Sequence, residues 1–247
     1  MQSLLLANVH IIKHKQSIRL IRNTVYGPDP QFNPRLGLEI EKAKKSGMPK
    51  ALIEAAIARG QGKSTTGAAL ESVTIEAILP ANVAVVVDFE TDSRLRTLAD
   101  TRLIVKKAGG NVTPTGYLFE KKGRITYAAK EGIGADEALE VALEAGALDI
   151  VEGEEGKLIV YTAPVETKAI AEKMSSALGL EIEGSEIIHD PVDDTKVDVD
   201  GAEDFEVLKT FVERVQEEGG FQGVYINARP GPQLETQWKE LEERLSS

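Results

Sequence analysis

Basic side chains concentrate in one short stretch of an otherwise acidic chain. Residues 91–124 contain eight Lys or Arg against three Asp or Glu, a net charge of +5, whereas the whole chain has a formal net charge of -11. The basic residues of this stretch are Arg94, Arg96, Arg102, Lys106, Lys107, Lys121, Lys122 and Arg124. The pattern places them on one helix and a following hairpin, and such a concentration of cations is typical of a surface that binds phosphate groups.

A second basic region lies at the start of the chain. Residues 1–70 contain eleven Lys or Arg and four Asp or Glu, whereas the other 177 residues contain 18 and 36. The first 28 residues have no acid and mix Lys13, Lys15 and Arg19 with Leu and Ile. This composition is typical of a mitochondrial presequence and equally of a basic RNA-binding arm. The asymmetry predicts a basic end that binds nucleic acid and an acidic end that stays solvated or contacts a protein, although both charges could serve solubility alone.

Residue types that support catalysis or metal binding are scarce. Cysteine is absent, which excludes disulfides, thiolate catalysis and zinc–thiolate sites. His10, His14 and His189 form no Ser-His-Asp arrangement and have no metal-ligand spacing. Residues 62–65 (GKST) resemble the end of a phosphate-binding loop, but Ile57 replaces the first glycine of that motif. The sequence therefore predicts a non-enzymatic protein with no cofactor and no metal.

Two further motifs have a structural and a functional interpretation. The aspartates of residues 193–200 resemble a calcium loop, but Lys196 and Val207 occupy the positions of its two key carboxylates, which favours an acidic turn and helix cap. Tyr117 and Phe119 alternate in a predicted strand beside the basic helix. They could stack on nucleic-acid bases, but we expect them to point into the core.

The hydrophobic periodicity predicts an α+β protein. Two short helices over residues 35–45 and 50–59 precede a linker rich in Gly, Ser and Thr over residues 61–69. Strands over residues 73–79 and 83–90 form a hairpin, and a helix over residues 93–108 follows. The expected buried stripe of this helix is Leu98, Thr101, Val105 and Ala108, which directs its basic residues to solvent.

The second half of the chain alternates strands and helices. Strands are predicted over residues 117–120, 124–127, 149–152, 157–161, 181–188 and 221–227, and helices over 135–145, 165–178 and 202–218. From Arg124 to His189 the order is β-α-β-β-α-β, that of a ferredoxin-like sandwich. The predicted organisation is a basic arm (1–28), a helical N-terminal domain with linker (29–69), a discontinuous α+β middle domain (70–123 plus 200–247) and an inserted acidic ferredoxin-like domain (124–199). No apolar run is long enough to cross a membrane, and a monomer is expected.

Five segments together resemble the YebC/PmpR family over nearly the whole chain. They are NPRLGLEIEKAKKSGMPKALIEAAIARGQG (33–62), TDSRLRTLADTRLIVKKAGGNV (91–112), YLFEKKGRITY (117–127), ALEVALEAGALDI (138–150) and GVYIN (223–227). The resemblance implies a helical N-terminal domain and two α+β domains, one inserted in the other. Bacterial members of that family are DNA-binding transcriptional regulators or ribosome-associated translation factors, and its mitochondrial branch includes the translational activator of cytochrome c oxidase subunit I. The basic segment with which the family begins is matched here only at residues 12–15.

The resemblance and the basic regions together predict a translational activator of the mitochondrial matrix that binds the mitochondrial ribosome or messenger RNA. The alternatives are a DNA-binding transcriptional regulator and a cytoplasmic location. The expected contacts to nucleic acid or ribosome are Lys13, Lys15, Arg19, Lys50, Arg59, Arg94, Arg96, Arg102, Lys106 and Lys107.

Overall fold

Two short helices, α1 (Pro34–Lys45) and α2 (Lys50–Gly60), form the first described part of the protein. The structure is a computed structural model that describes residues 34–45, 47–60 and 69–245. The two helices share an apolar cluster of Leu36, Ile40, Ala43, Met48, Ile53 and Ala56. Gly47 allows the turn between them with a φ of 77°, and the amide of Met48 closes the end of α1 on the carbonyl of Ala43.

The chain as a whole divides into two compact units. The split unit contains the residues up to Pro114 together with those from Val197 onwards, and the inserted unit is Thr115–Lys196. The elements that follow α2 are, in chain order, β1 (Glu71–Ile78), β2 (Ala84–Thr91), α3 (Arg94–Lys107), β3 (Asn111–Val112), β4 (Phe119–Tyr127), α4 (Ala135–Ala145), β5 (Asp149–Glu152), β6 (Leu158–Thr162), α5 (Thr167–Leu178), β7 (Ile182–Pro191), β8 (Val197–Val199), α6 (Ala202–Glu217), β9 (Phe221–Ile226), β10 (Ala228–Pro230) and α7 (Glu235–Leu245).

The split unit is a four-stranded antiparallel sheet covered by helices. The strand order is β3-β1-β2-β9, and α3 packs against β1, β2, β3 and α6. Alternate residues of β1 and β2, among them Val73 and Val87, enter one core with α6 and with Trp238 of α7. Two aromatic pairs lie within these layers: the ring centroids of Phe89 and Phe221, on neighbouring strands, are 6.2 Å apart, and those of Phe205 and Trp238, on α6 and α7, are 5.9 Å apart.

A buried threonine fixes where α3 leaves the sheet. Thr91, the last residue of β2, accepts hydrogen bonds at Oγ1 from the Ser93 amide (3.1 Å) and from the Thr97 hydroxyl (2.9 Å). Thr91 and Thr97 are both buried. The first turn of α3 is therefore tied to the end of the central strand, and this tie sets the position of every side chain further along the helix.

The inserted unit has the ferredoxin-like arrangement that the sequence predicts. Its element order is β4-α4-β5-β6-α5-β7, and its antiparallel sheet has the order β5-β6-β4-β7. The α+β class, the helical N-terminal region and the antiparallel sheets are thereby confirmed. The apolar core lies between this sheet and its two helices and includes Ile125, Tyr127, Val160 and Met174.

One predicted pair of strands is a single strand. The sequence suggested a break at residues 121–123, but β4 runs without interruption from Phe119 to Tyr127 and pairs with β7 throughout. Gly123 lies within the strand and does not make a turn. Glycine is needed there because a Cβ would collide with the hydroxyls of Thr162 and Thr167, which lie 2.9 Å from each other. Residues 115–123 consequently belong to the inserted unit, which begins nine residues before the predicted residue 124, and the split unit resumes at Val197, three residues before the predicted residue 200.

Four short or weakly patterned elements were missing from the sequence prediction. They are β3, the two strands of a small parallel ribbon (β8 and β10), and helix α7. β3 pairs with β1 at an edge of the split unit's sheet. Three of these elements contain only two or three residues, and so carry no usable periodicity.

Replacing Gly123 with Ala should destabilise the inserted unit by about 1–3 kcal/mol, because the added methyl overpacks the contact with Thr162 and Thr167. Gly184→Ala is the matched control, since a Cβ on this strand residue of β7 meets no atom within 4 Å. The single tryptophan lies in the split unit, so amide hydrogen exchange of β4 and β6 is the suitable measurement. Equal protection in the two variants would contradict the close-approach role of Gly123.

Replacing Thr91 with Val should lower the free energy of unfolding of the split unit by about 1–3 kcal/mol, because the buried Thr97 hydroxyl and the partly buried Ser93 amide lose their shared acceptor. Thr97→Val removes one of those donors, so the double variant should lose less than the sum of the single losses. Urea unfolding followed by the fluorescence of Trp238 measures all three. Additive losses would show that the two hydroxyls are not coupled.

Candidate nucleic-acid interface

Helix α3 is held by one face, and this determines which of its side chains reach solvent. Thr97, Thr101 and Val105 are buried. Leu98 and Ala108 are partly buried and pack against the same core. The predicted stripe is therefore correct in orientation, with Thr97 as an additional member that its hydroxyl bond to Thr91 explains.

The five cations of α3 that the sequence selected are all exposed. They are Arg94, Arg96, Arg102, Lys106 and Lys107. A helix of 14 residues is about 20 Å long, so these cations can meet several successive phosphates of a nucleic-acid strand. Lys106 and Lys107 also occupy the last turn, where cations stabilise the negative end of the helix dipole.

Four of these cations have no carboxylate at ion-pair distance within the described residues. Arg96 is the exception, because its Nη2 lies 2.7 Å from Oδ1 of Asp92. The acidic residue within α3, Asp100, lies near Glu218, which follows α6. Burial of Glu218, together with the charges of Asp100 and Glu217, raises the pKa of Glu218. The positive charge of Arg94, Arg102, Lys106 and Lys107 is thus left for a partner.

Two leucines lie among these cations. The side chains of Leu95 and Leu103 are 82% and 52% exposed, and exposed Ala99 lies between them at four-residue spacing. We call this face, with its five cations and two leucines, the basic leucine surface. Sequence periodicity did not single out Leu95, although the i, i+4, i+8 spacing of residues 95, 99 and 103 was a usable signal. A partner of this surface meets apolar as well as charged groups.

The basic stretch of the sequence is divided between the two units. Lys122 and Arg124 lie on β4 of the inserted unit, not on a hairpin after α3, and both are paired across the strands. Lys122 donates to Asp190 (2.7 Å), and this bond raises the pKa of Lys122. Arg124 donates through Nε and Nη2 to Glu186 at 2.9 and 2.6 Å. These two cations are therefore removed from the candidate interface, whereas Lys121 is exposed.

The N-terminal candidates are placed only in part. Lys13, Lys15 and Arg19 lie outside the described residues, as does the side chain of Arg59. Lys50 is 87% exposed and 3.6 Å from Glu54. Three exposed lysines that the sequence analysis did not select lie at the end of α1, namely Lys42, Lys44 and Lys45. The run Lys-Ala-Lys-Lys was the signal that could have found them.

Of the remaining chemical motifs, His189 and the aspartates of residues 193–200 are described, whereas His10, His14 and residues 62–65 lie outside the described residues. His189 is buried in β7, and in the described part of the chain no three His, Asp or Glu side chains converge into a possible metal site. Asp198 accepts a hydrogen bond from Arg229, which lowers the pKa of its carboxyl. None of the described helices is both long and apolar enough to span a membrane.

The expectation that both aromatic residues near β4 point into the core is half correct. Phe119 is buried, but Tyr117 is 76% exposed. Tyr117 lies in a 3₁₀ turn, Gly116–Leu118, which ends before β4 begins, so the alternation of a strand does not apply to it.

Comparison with known proteins agrees with this architecture. Two family models match, the TACO1/YebC N-terminal domain over residues 10–63 and the TACO1/YebC second and third domains over residues 70–228. A probable transcriptional regulatory protein of Aquifex aeolicus is 40% identical over 199 residues, which cover 77% of this chain and 78% of the relative. Another, from Methylococcus capsulatus, is 40% identical over 205 residues, covering 82% and 80%.

A solved structure shows the same fold. The crystal structure of the conserved hypothetical protein Aq1575 from Aquifex aeolicus matches with a TM-score of 0.61 and 36% sequence identity, and covers 89% of each chain. With both family models matched along the sequence and this fold shared, the chain belongs to the TACO1/YebC family.

Proposed function

We propose that this protein regulates translation by binding RNA, in the mitochondrial ribosome or in a messenger, through the basic leucine surface of α3. The observation that carries the proposal is the set of four exposed cations on α3, Arg94, Arg102, Lys106 and Lys107, without carboxylate partners in the described residues. The family resemblance of the sequence supports synthesis of cytochrome c oxidase subunit I as the regulated process. The proposal includes no catalytic step.

The physical basis of binding is the release of counterions from phosphates. Each Lys or Arg that neutralises a phosphate releases bound cations, so the logarithm of the binding constant falls with the logarithm of salt concentration, by about 0.7 per contact on single strands and about 0.9 on duplex DNA. The exposed cations of α3 lie on a rigid helix whose opposite face is part of the core. They therefore approach a phosphate strand without having to be ordered first.

A second candidate is a DNA-binding transcriptional regulator, which the names of the relatives from Aquifex aeolicus and Methylococcus capsulatus favour. Reading of base edges commonly uses Asn or Gln as well as Arg. The sequence of α3, RLRTLADTRLIVKK, contains neither Asn nor Gln. This composition favours contacts to the phosphate backbone over the reading of a sequence.

The two candidates differ in the specificity that each requires. Duplexes selected from a random DNA pool should bind no more than about tenfold better than random duplex if the protein acts on RNA. A preference of about 10³ or more is the expectation for a specific DNA regulator and would reverse the ranking. Sedimentation of mildly crosslinked organelle lysate gives the complementary result, since a ribosome-bound factor should migrate with ribosomal particles.

Replacing Arg102 and Lys107 together with Glu should weaken binding to a short structured RNA at least tenfold, about 1.4 kcal/mol. The slope of the logarithm of the binding constant against the logarithm of salt concentration should decrease by the amount that corresponds to about one to two phosphate contacts. Both side chains are exposed, so the melting temperature should stay within the small range of surface substitutions. Arg96 is avoided because its substitution would also break the ion pair with Asp92. Fluorescence anisotropy titrations at several salt concentrations measure the effect.

The matched control is Arg214→Glu with Lys239→Glu, which changes the net charge equally through exposed positions of α6 and α7. It also breaks the pair of Arg214 with Glu217, but that pair is 3.4 Å long and exposed on both sides, so its loss costs little. It should leave RNA affinity within about twofold once the change in net charge is screened at 150 mM salt. If both double variants bind RNA like the unaltered protein, α3 is only a solvated face. Binding must then depend on basic residues of the N-terminal region, such as Lys13, Lys15, Arg19, Lys50 and Arg59.

We also propose a mitochondrial location, on the acid-free composition of residues 1–28. A fusion of residues 1–30 to a fluorescent reporter should accumulate in mitochondria, and substitution of Lys13, Lys15 and Arg19 by Glu should abolish this import. A reporter that stays in the cytoplasm in both forms would contradict a targeting role and leave the RNA-binding arm as the interpretation of this segment.

A further inference from the structure

Helix α4 of the inserted unit lies in a long stretch of chain that carries only negative charge. Residues 131–156 contain nine Asp or Glu and no Lys or Arg. All of these acids whose side chains the structure describes are exposed, namely Glu131, Asp136, Glu137, Glu140, Glu144, Asp149, Glu152 and Glu155. The negative charge of these residues therefore lies on the surface and is not buried in the core.

Large apolar side chains interrupt this acidic surface. Leu139, Leu143 and Leu148 are 43%, 59% and 58% exposed. Leu139 and Leu143 are four residues apart and form one row along α4. Asp136, Glu140 and Glu144 have the same spacing and form a second row beside it. We call these six residues the acidic leucine surface.

The fold itself does not use these leucines. The residues of α4 that are buried in the core are Ala138 and Ala142. Exposed single leucines are common, but two at four-residue spacing on α4 and a third just after the helix concentrate apolar side chains among carboxylates, as binding surfaces do.

The carboxylates of the acidic row also have no ion pair within the described residues. Glu137, which lies outside this row, caps the helix by accepting a hydrogen bond from the Gly134 amide at 2.8 Å. Lys173 of α5 is the nearby cation, and its Nζ donates to the backbone carbonyl of Glu144, not to a carboxylate. The carboxylates of Asp136, Glu140 and Glu144 are consequently exposed and not paired with a cation of the described residues.

We infer that the acidic leucine surface binds a basic amphipathic helix of a protein partner, with the apolar row of that helix on Leu139 and Leu143 and its Lys or Arg beside Asp136, Glu140 and Glu144. This mode of recognition uses an apolar stripe at helical spacing for affinity. Complementary charge around it accelerates the encounter and excludes other partners. The choice of a partner other than a second copy of this chain rests on the proposed function, which assigns the basic leucine surface of α3 to RNA.

The sign of the charge determines the class of partner. Nucleic acids and anionic membranes are repelled by a surface on which carboxylates outnumber the nearby cation, Lys173. Among the described residues, a second copy of this chain presents exposed cations beside exposed leucines on the basic leucine surface of α3, which the proposed function assigns to RNA. A basic amphipathic protein segment complements both the carboxylates and the leucines of this surface, and we therefore choose it as the partner.

The test uses a synthetic 18-residue helix of Leu and Lys, with its leucines at i, i+3, i+4 and i+7, and the whole protein. A peptide of identical composition, in which the leucines are redistributed around the helix, is the control for charge alone. Anisotropy titrations at 150 mM salt should show at least tenfold tighter binding of the amphipathic peptide. Equal binding of the two peptides would overturn the inference, because it would reveal only general attraction of cations.

Two double variants separate the apolar and the charged contributions. Leu139→Gln with Leu143→Gln, and Glu140→Gln with Glu144→Gln, should each weaken binding at least fivefold, and only the second should flatten the salt dependence. The matched controls are Val165→Gln, at a 92% exposed apolar position of the same unit, and Glu203→Gln with Glu206→Gln at exposed positions of α6. Both controls should stay within twofold.

Unchanged hydrogen exchange of α4 and β5 establishes that the variants are folded, as expected from exposed positions. If the leucine substitutions leave the peptide affinity of a folded protein unchanged, the inference is overturned. Sedimentation equilibrium of the protein alone supplies another outcome. Self-association that disappears in the leucine variant would assign this surface to a second copy and would equally overturn it.

Discussion

The burial of one face of α3 against the sheet of the split unit is the constraint on which the basic leucine surface depends. Val105 and Thr101 lie in the core, and Thr91 holds the first turn of the helix through Thr97. A rotation of the helix would expose Val105 and bring Arg102 toward the apolar layer, where an unpaired charge is very costly. Core packing alone therefore keeps the cations in solvent. The side chains of the exposed face do not pack into the core, so their charges and leucines are informative about partners.

The two units display opposite charge on helices built in similar ways. α3 and α4 each use small or medium side chains toward the core and present leucines among ionised groups toward solvent. Exposed ion pairs add little to stability, and segregating charges of one sign adds none. A stability argument therefore does not explain the arrangement, whereas the recognition of two chemically different partners that we propose does. One proposed partner is anionic and the other is cationic, and both would contact leucines as well as charges.

The elements with strong local patterns were predictable from the sequence, and those that depend on distant contacts were not. The helices α3, α4 and α6 have clear periodicity and lie close to their predicted bounds. Lys121-Lys122-Gly123 looked like a turn, because the residues that demand a glycine there, Thr162 and Thr167, are far along the chain. Helix α7 has only a few apolar residues, and docking of Trp238 and Leu241 into the shared core gives it its place.

The sequence by itself determined the charge asymmetry, the α+β class, the face of α3 that is exposed and the family to which the chain is similar, because each of these is set by composition or by spacing within one element. Only the tertiary structure decided which cations remain for a partner. The pair of Arg96 and Asp92 spans four residues of one helix and is visible as a local spacing. The pairs of Lys122 with Asp190 and of Arg124 with Glu186 join residues 68 and 62 positions apart. Such pairs exist only through the register of β4 against β7, which is set by the packing of the whole inserted unit.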